Sequence, residues 1–216
     1  MTPSHLIRPY RGTPAEDRVA RRRRALLDAA LQVFDTEGWS GVSARRVCER
    51  AGLTRRYFYE SFDDVDALLA ELFEEVTGEV RAAVRAAVTG GDAPPTAKAH
   101  QAISRGLDVL TAAPVKGRFI AGAQSAGGAV AAHRARAIDD LASIVETGFT
   151  ARQGDSTRVG ARRARAAAIG AVGAALQIVD SWLSGEVDLT RDEAAAWSAA
   201  AALGVITAVS PGSLQA

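Results

Sequence analysis

From residue 16 to residue 37 apolar side chains return every three or four positions. Leu26, Ala30, Val33 and Phe34 share one stripe with Leu27 and Leu31 beside it, the spacing of an amphipathic helix that Gly38 ends. Ser43 can accept a hydrogen bond from an unpaired first-turn amide, and the helix it opens runs through Val47 to Ala51 before Gly52. Thr54 is a good N-cap for a third short helix, Arg55 to about Ser61. Asp64 then opens a long fourth helix in which Leu69, Phe73, Val76, Val80, Val84 and Val88 recur at helical spacing. About 25 residues at 1.5 Å each would reach roughly 37 Å, enough to bridge two domains.

Thr89-Gly-Gly-Asp-Ala-Pro-Pro95 breaks the pattern, and Ile103, Leu107 and Leu110 mark a fifth helix that Pro114 closes. A short segment around Phe119 to Gln124 precedes Gly127-Gly128. A long helix follows with Ile138, Leu141, Val145 and Phe149 on one stripe, stopping near Gly154. The last two helices run from about Thr157 to Ser184 and from Thr190 to Val209. Ile169, Val172, Leu176, Val179 and Leu183 form an apolar stripe on the first, and Trp197, Ala201, Gly204 and Ala208 a small-residue stripe on the second. No alternating strand pattern and no repeat of 20 to 50 residues appears. The expected fold is all-α: an arm over residues 1–17, marked by Pro3, Pro9, Gly12 and Pro14, a three-helix unit over 18–63, and a larger helical unit over 64–216.

Charge changes this picture by giving it a direction. Residues 1–62 hold 12 arginines, no lysine and 7 acids, a net of +5, while the remainder carries −4. A polyanion would meet the front of the chain. Apolar residues at 48% and charged residues at 24% are ordinary for a globular protein. A single cysteine, Cys48, excludes an intrachain disulfide and fits a cytoplasmic setting. The arginine-rich start has no apolar run that would serve as a signal-peptide core. The uncharged stretches Ala166–Leu176 and Ala194–Val209 are too short and too rich in alanine and glycine to span a bilayer, so no membrane is expected.

Residues 43–62 supply the parts of a helix-turn-helix: a supporting helix with Val47 and Ala51 facing inward, a turn at Gly52, and a reader helix capped by Thr54. Phe58 and Phe62, four apart, bury one side of the reader against the first helix. Arg55, Arg56, Tyr57, Tyr59 and Ser61 are then left on its outer surfaces. Arginine can grip guanine O6 and N7 with two hydrogen bonds, whereas tyrosine and serine hydroxyls more often hold phosphate oxygens. Arg55, Arg56 and Tyr57 are the expected base readers; Ser43, Arg45, Thr54, Tyr59 and Ser61 are the expected backbone holders on double-stranded DNA.

The run Leu26-Leu-Asp-Ala-Ala30, then Phe34, Gly38, Ser43-Ala-Arg-Arg-Val47, Ala51-Gly-Leu-Thr54, Tyr57-Phe-Tyr59, Phe62 and Ala67-Leu-Leu69 resembles the head of the TetR family of regulators. The resemblance spans roughly residues 21 to 70. It implies a homodimer held by the last two helices, an operator of two-fold symmetry, and repression relieved when a small molecule enters the C-terminal domain. It also matches Tyr59 to a phosphate-contacting tyrosine. One departure stands out: Val65, beside Asp63, Asp64 and Asp66, occupies the place where many members carry a phosphate-gripping lysine. The cluster Arg21 to Arg24, with Arg8 and Arg11 of the arm, is the expected compensation. The effector pocket is expected at Phe73, Leu107, Phe119, Gln124 and Gln177, apolar or amide groups on elements that the family folds around its cavity, and the apolar balance points to a hydrophobic ligand.

Other chemistry finds little support. Cys48 sits where small core residues belong and reads as a packed thiol. His5, His100 and His133 share no ligand spacing, so no metal is expected. Adjacent carboxylates such as Glu74-Glu75 and Asp139-Asp140 point in different directions on a helix, and no P-loop or Gly-x-Ser-x-Gly element occurs, so neither an enzyme nor a cofactor is expected. Trp182 and Trp197 are expected in a helix-pair interface. Two rivals stay open: a ligand-independent regulator controlled by a partner protein, and a helical enzyme or carrier.

Overall fold

The computed structural model describes residues 15–153 and 158–209. The arm with Arg8 and Arg11, and the stop near Gly154, lie outside them. The described residues are helical with no strand, and the chain divides into two compact units, one ending at Val65 and the other beginning at Asp66.

The first unit contains α1 (Ala15–Gly41), α2 (Ala44–Ala51) and α3 (Arg55–Ser61). Inside α1 the backbone leaves helical geometry at Gly38 (φ 69°), so the regular helix stops where the apolar stripe stops. Its inner face, Leu26, Leu27, Ala29, Ala30, Val33 and Phe34, is buried. Ser43 caps α2 by accepting from the Arg46 amide, a contact worth about 1 kcal/mol in typical proteins. Gly52 closes α2 in the left-handed region (φ 65°), where a β-carbon would be strained. Thr54 takes the N-cap position of α3 in extended geometry, but its side chain makes no capping bond, contrary to the sequence expectation. The cap carbonyl instead accepts from the Tyr57 amide at 3.0 Å.

The second unit contains α5 (Pro95–Ala112), α6 (Pro114–Gly122) with a 3₁₀ turn at Ala123–Ser125, α7 (Gly128–Gln153), α8 (Arg158–Leu183) and α9 (Arg191–Ala208). It also holds all of α4 (Val65–Thr89) but its first residue. Pro95 and Pro114 stand at the starts of α5 and α6, where a missing amide proton costs nothing. A reciprocal capping box joins Thr190 and Glu193 at the start of α9, and its hydrogen bonds hold the Glu193 carboxyl below its ordinary range.

α8 packs on α7 through Ala142, Ala168 and Val172, and on α9 so closely that a β-carbon on Gly170 would stand 2.8 Å from Val205 Cγ1. This inner face differs from the expected stripes. Ile169 is half exposed, and on α9 the small residues Gly204 and Ala208 face outward with Trp197, while Ala194, Ala195, Ser198 and Ala199 are buried. Trp182 tethers the α8–α9 connection, its Nε1 donating to the Leu189 carbonyl at 2.8 Å. Taken as a whole, Val159–Leu183 is long and apolar enough to cross a membrane (mean hydropathy 1.5 in its most apolar stretch). The uncharged run inside it is not. Its inner face is already occupied by α7 and α9.

Candidate nucleic-acid interface

α3 is held from behind by aromatic packing. Phe58 is fully buried, its ring edge-on to Tyr59 at 5.3 Å and tilted on Phe62 at 5.9 Å. Two arginines of α1 complete the clamp: the Arg22 guanidinium lies 4.4 Å over the Tyr57 ring, and Arg23 lies 4.2 Å over Phe62 while donating to the Ser61 carbonyl. Such contacts combine cation–π attraction with satisfaction of a carbonyl at the end of α3. They fix the direction in which α3 presents its outer face.

On that face Arg55, Arg56 and Tyr59 are exposed, Tyr59 at 60%. Arg55 has no hydrogen bond or ion pair among the described residues. Arg56 is extended along its own helix, with Nε 2.8 Å from Glu60 Oε1 and 84% of its side chain exposed. Thr54 and Arg45 are exposed, the latter 3.8 Å from Glu49.

The remaining expected contacts are placed differently. Tyr57 is half-buried beneath Arg22, and Ser61 is half-buried at the far end of α3 with its hydroxyl donating to the Tyr57 carbonyl at 2.9 Å. Ser43 spends its hydroxyl on the α2 cap. The arginine cluster also divides: Arg22 and Arg23 brace α3, Arg24 bonds Asp28 at 2.9 Å, and Arg18, Arg21 and Arg22 line a shallow hollow of about 270 Å³ with Ala25 and Leu53. The bracing was missed because its partners are far away in sequence. The hollow had a signal, since positions 18, 21, 22 and 25 share one helical face. Cys48 is buried in the supporting helix, and burial pushes its thiol upward, away from the reactive thiolate.

A second feature lies within the larger unit, where α4, α5, α7, α8 and α9 enclose a cavity of about 470 Å³. Leu107 lines it. The other expected pocket residues do not: Phe73 and Phe119 are buried against each other at 6.5 Å between ring centres, Gln124 is bonded to Asp180, and Gln177 is exposed with its amide 3.4 Å from the Ser181 hydroxyl. The lining is instead made of valines of α4, small and branched residues of α5 and α8, and Leu203 and Ile206 of α9.

Among the described residues a helix-turn-helix head with an outward basic face is followed by a separate helical unit that holds a cavity. Residues 26–72 match the profile of the bacterial regulatory proteins, tetR family. That match covers the DNA-binding head alone, and the proteins it describes are regulators and not enzymes. A relative from Mycobacterium tuberculosis, the HTH-type transcriptional repressor Rv1474c, is 35% identical over 68 residues, which is 32% of this chain. The match spans only 36% of that relative's length. Among solved structures, the putative transcriptional regulator from Pseudomonas aeruginosa PAO1 has a TM-score of 0.67 at 18% identity, covering 91% of this chain and 98% of its own. The transcriptional regulator FadR from Bacillus subtilis, in complex with stearoyl-CoA, has a TM-score of 0.62 at 16% identity, covering 88% and 98%. These two likenesses are likenesses of fold.

Proposed function

We propose that this protein is a DNA-binding transcriptional repressor that grips a two-fold symmetric operator as a homodimer and leaves it when a small hydrophobic effector enters the cavity of the second unit. The carrying observation is the outer face of α3: Arg55, Arg56 and Tyr59 stand exposed on a helix whose other side is fixed by Phe58 and Phe62. Arg55 and Arg56 read base edges, and Tyr59, Thr54 and Arg45 hold phosphates. The hollow lined by Arg18, Arg21 and Arg22 extends the basic surface from α1. A protein of this kind works where the chromosome is, in the bacterial cytoplasm.

Dimerisation is supported by the outer surfaces of α8 and α9. Val159, Ile169 and Trp197 are exposed at 50% or more, and no atom comes within 4 Å of where β-carbons on Gly173 and Gly204 would stand. Exposed small residues and large apolar ones on the same two helices suit a second copy of the chain about a two-fold axis. The effector reading is supported by the cavity and, by analogy of fold, by the stearoyl-CoA complex of the Bacillus subtilis regulator.

Gel retardation of genomic fragments at low ionic strength tests the reading. A discrete set of fragments should be retarded well ahead of random duplex; equal retardation of all duplexes would overturn it. On the selected operator, Arg56→Ala is expected to cost about 1 to 3 kcal/mol and to relax discrimination at one position. Glu60→Ala, which frees Arg56 from its ion pair, should tighten or preserve binding. Uniform weakening across all sequences by Arg56→Ala would make it a phosphate contact.

A further inference from the structure

Resting on the effector reading of the cavity, we infer that its ligand is a single-chain aliphatic amphiphile with an anionic head, held tail-inward with the head at Lys98. The lining is polarised. Among the described residues its polar side chains, Thr96, Lys98 and Thr207, belong to one end, and its exposed residues, Pro95, Thr96 and Thr207, belong to that same end. α9 runs antiparallel to α5, because Arg191 at its start donates to the Ser104 carbonyl at 2.9 Å and pairs with Asp108 near the end of α5. That direction carries Thr207 back to the Thr96 end and makes a mouth there.

The opposite end is closed and apolar. Leu107, Leu110 and Val179 are each less than a tenth exposed and join Val76 in one buried cluster, with Val80 against it. From Pro95 to Leu110 the lining follows α5 for roughly 22 Å at 1.5 Å per residue. An apolar interior with Lys98 as its cation among the described residues at the opening matches a molecule whose charge is terminal and negative. The tail gains from leaving water, and the head never has to.

Two further observations narrow the class. Among the described residues no aromatic ring lines the cavity, so a planar aromatic ligand would find no stacking face on them. The walls come close together, since a β-carbon on Gly148 would stand 2.6 Å from Val88 Cγ1 and one on Gly106 would touch Val80 and Val84, which leaves a narrow space that suits a slim chain. At the mouth, Lys98 Nζ donates to the Val88 carbonyl at 3.1 Å in the last turns of α4. A carboxylate or phosphate head would compete for that ammonium, so its arrival loosens a tie between α5 and α4.

The test uses the full-length protein and titrates saturated fatty acids of 12, 14 and 16 carbons, the matching primary alcohols, the corresponding acyl-CoA esters, and ethidium as a planar aromatic cation, with thermal shift and calorimetry as readouts. The acids or their CoA esters should bind, about fourfold tighter per added methylene until the chain fills the slot. Which of the two binds better identifies the source of the head group. Lys98→Met, which keeps the apolar stem, should weaken the anionic ligands about tenfold or more and leave the alcohols nearly unchanged. Ala175→Phe, which fills the middle, should abolish binding of acids and alcohols alike. Alcohols binding as tightly as acids to the wild type, or Lys98→Met changing nothing, would overturn the head-group assignment. Binding of ethidium alone would overturn the aliphatic class while leaving an effector site in place. If none of these compounds nor a broad set of small molecules shifted the melting temperature, the effector reading itself would fall, and this inference with it.

Discussion

Replacing Phe58 with alanine is expected to remove sequence-specific DNA binding while leaving the second unit folded. The side chain is fully buried and touches both Tyr59 and Phe62. Loss of such a ring typically costs about 3 to 5 kcal/mol, the transfer of the ring plus the cavity it leaves. A unit of some 50 ordered residues has little to spare, since whole domains are stable by only about 5 to 15 kcal/mol. Circular dichroism should show part of the helical signal melting early, with the remainder melting near the wild-type temperature. Gel retardation should fall to the level of random duplex. Phe58→Leu should lose less of both. An alanine variant that still selected its operator and melted as the wild type does would show that α3 is not oriented by this packing.

The same residues show what a sequence can reveal about this chain. Ser43, Gly52 and the Phe58/Phe62 pair were legible because each acts locally: a cap satisfies an amide three residues on, a left-handed glycine closes the helix before it, and residues four apart share a face. Tyr57 and Ser61 were not, because what removes them from the outer surface comes from α1. Arg23 reaches Ser61 across 38 positions, and Arg22 covers Tyr57 from one position earlier. The Arg56–Glu60 pair lay at helical spacing and could have been read. It gives the exposed guanidinium a local partner, which a contact to DNA would have to displace.

The cavity divides in the same way. Its walls follow stripes visible in the sequence, Val80, Val84 and Val88 on α4 and Ile103 and Leu107 on α5. Its location did not follow from picking aromatic residues, because Phe73 and Phe119 satisfy each other in the core. A cavity is space that several helices leave between them, here with lining residues from α4, α5, α7, α8 and α9, so it is fixed by pairings between helices and not by any one stripe. The outward turn of Ile169 and Trp197 has a related cause. α8 and α9 meet through alanine and through the close approach at Gly170, which leaves the larger apolar groups on the opposite faces.

Removing Arg134 is expected to make stability strongly pH-dependent. Asp180 on α8 is only 6% exposed and accepts from Arg134 at 3.2 Å and from Gln124. Burial pushes its carboxyl above the ordinary carboxylate range, against the opposing pull of Arg134. The folded chain therefore holds this proton more tightly than the unfolded chain. The stabilisation is complete below the unfolded value of about 3.9 and is lost as pH rises through the folded value. With Arg134→Ala the carboxylate loses its charged partner, the folded value climbs further, and the loss extends to higher pH. At neutral pH the cost should approach about 3 kcal/mol, the usual effect of stranding one member of a buried pair. Melting temperatures between pH 4 and 8 should diverge from wild type as pH rises and converge toward acid. Adding Asp180→Asn to Arg134→Ala removes the buried charge and should restore most of the loss while flattening the profile, since an amide can still bond Gln124. A single variant whose melting temperature ran parallel to wild type at every pH would mean that Asp180 is solvated in solution, and that the α7–α8 contact at this point is held by packing alone.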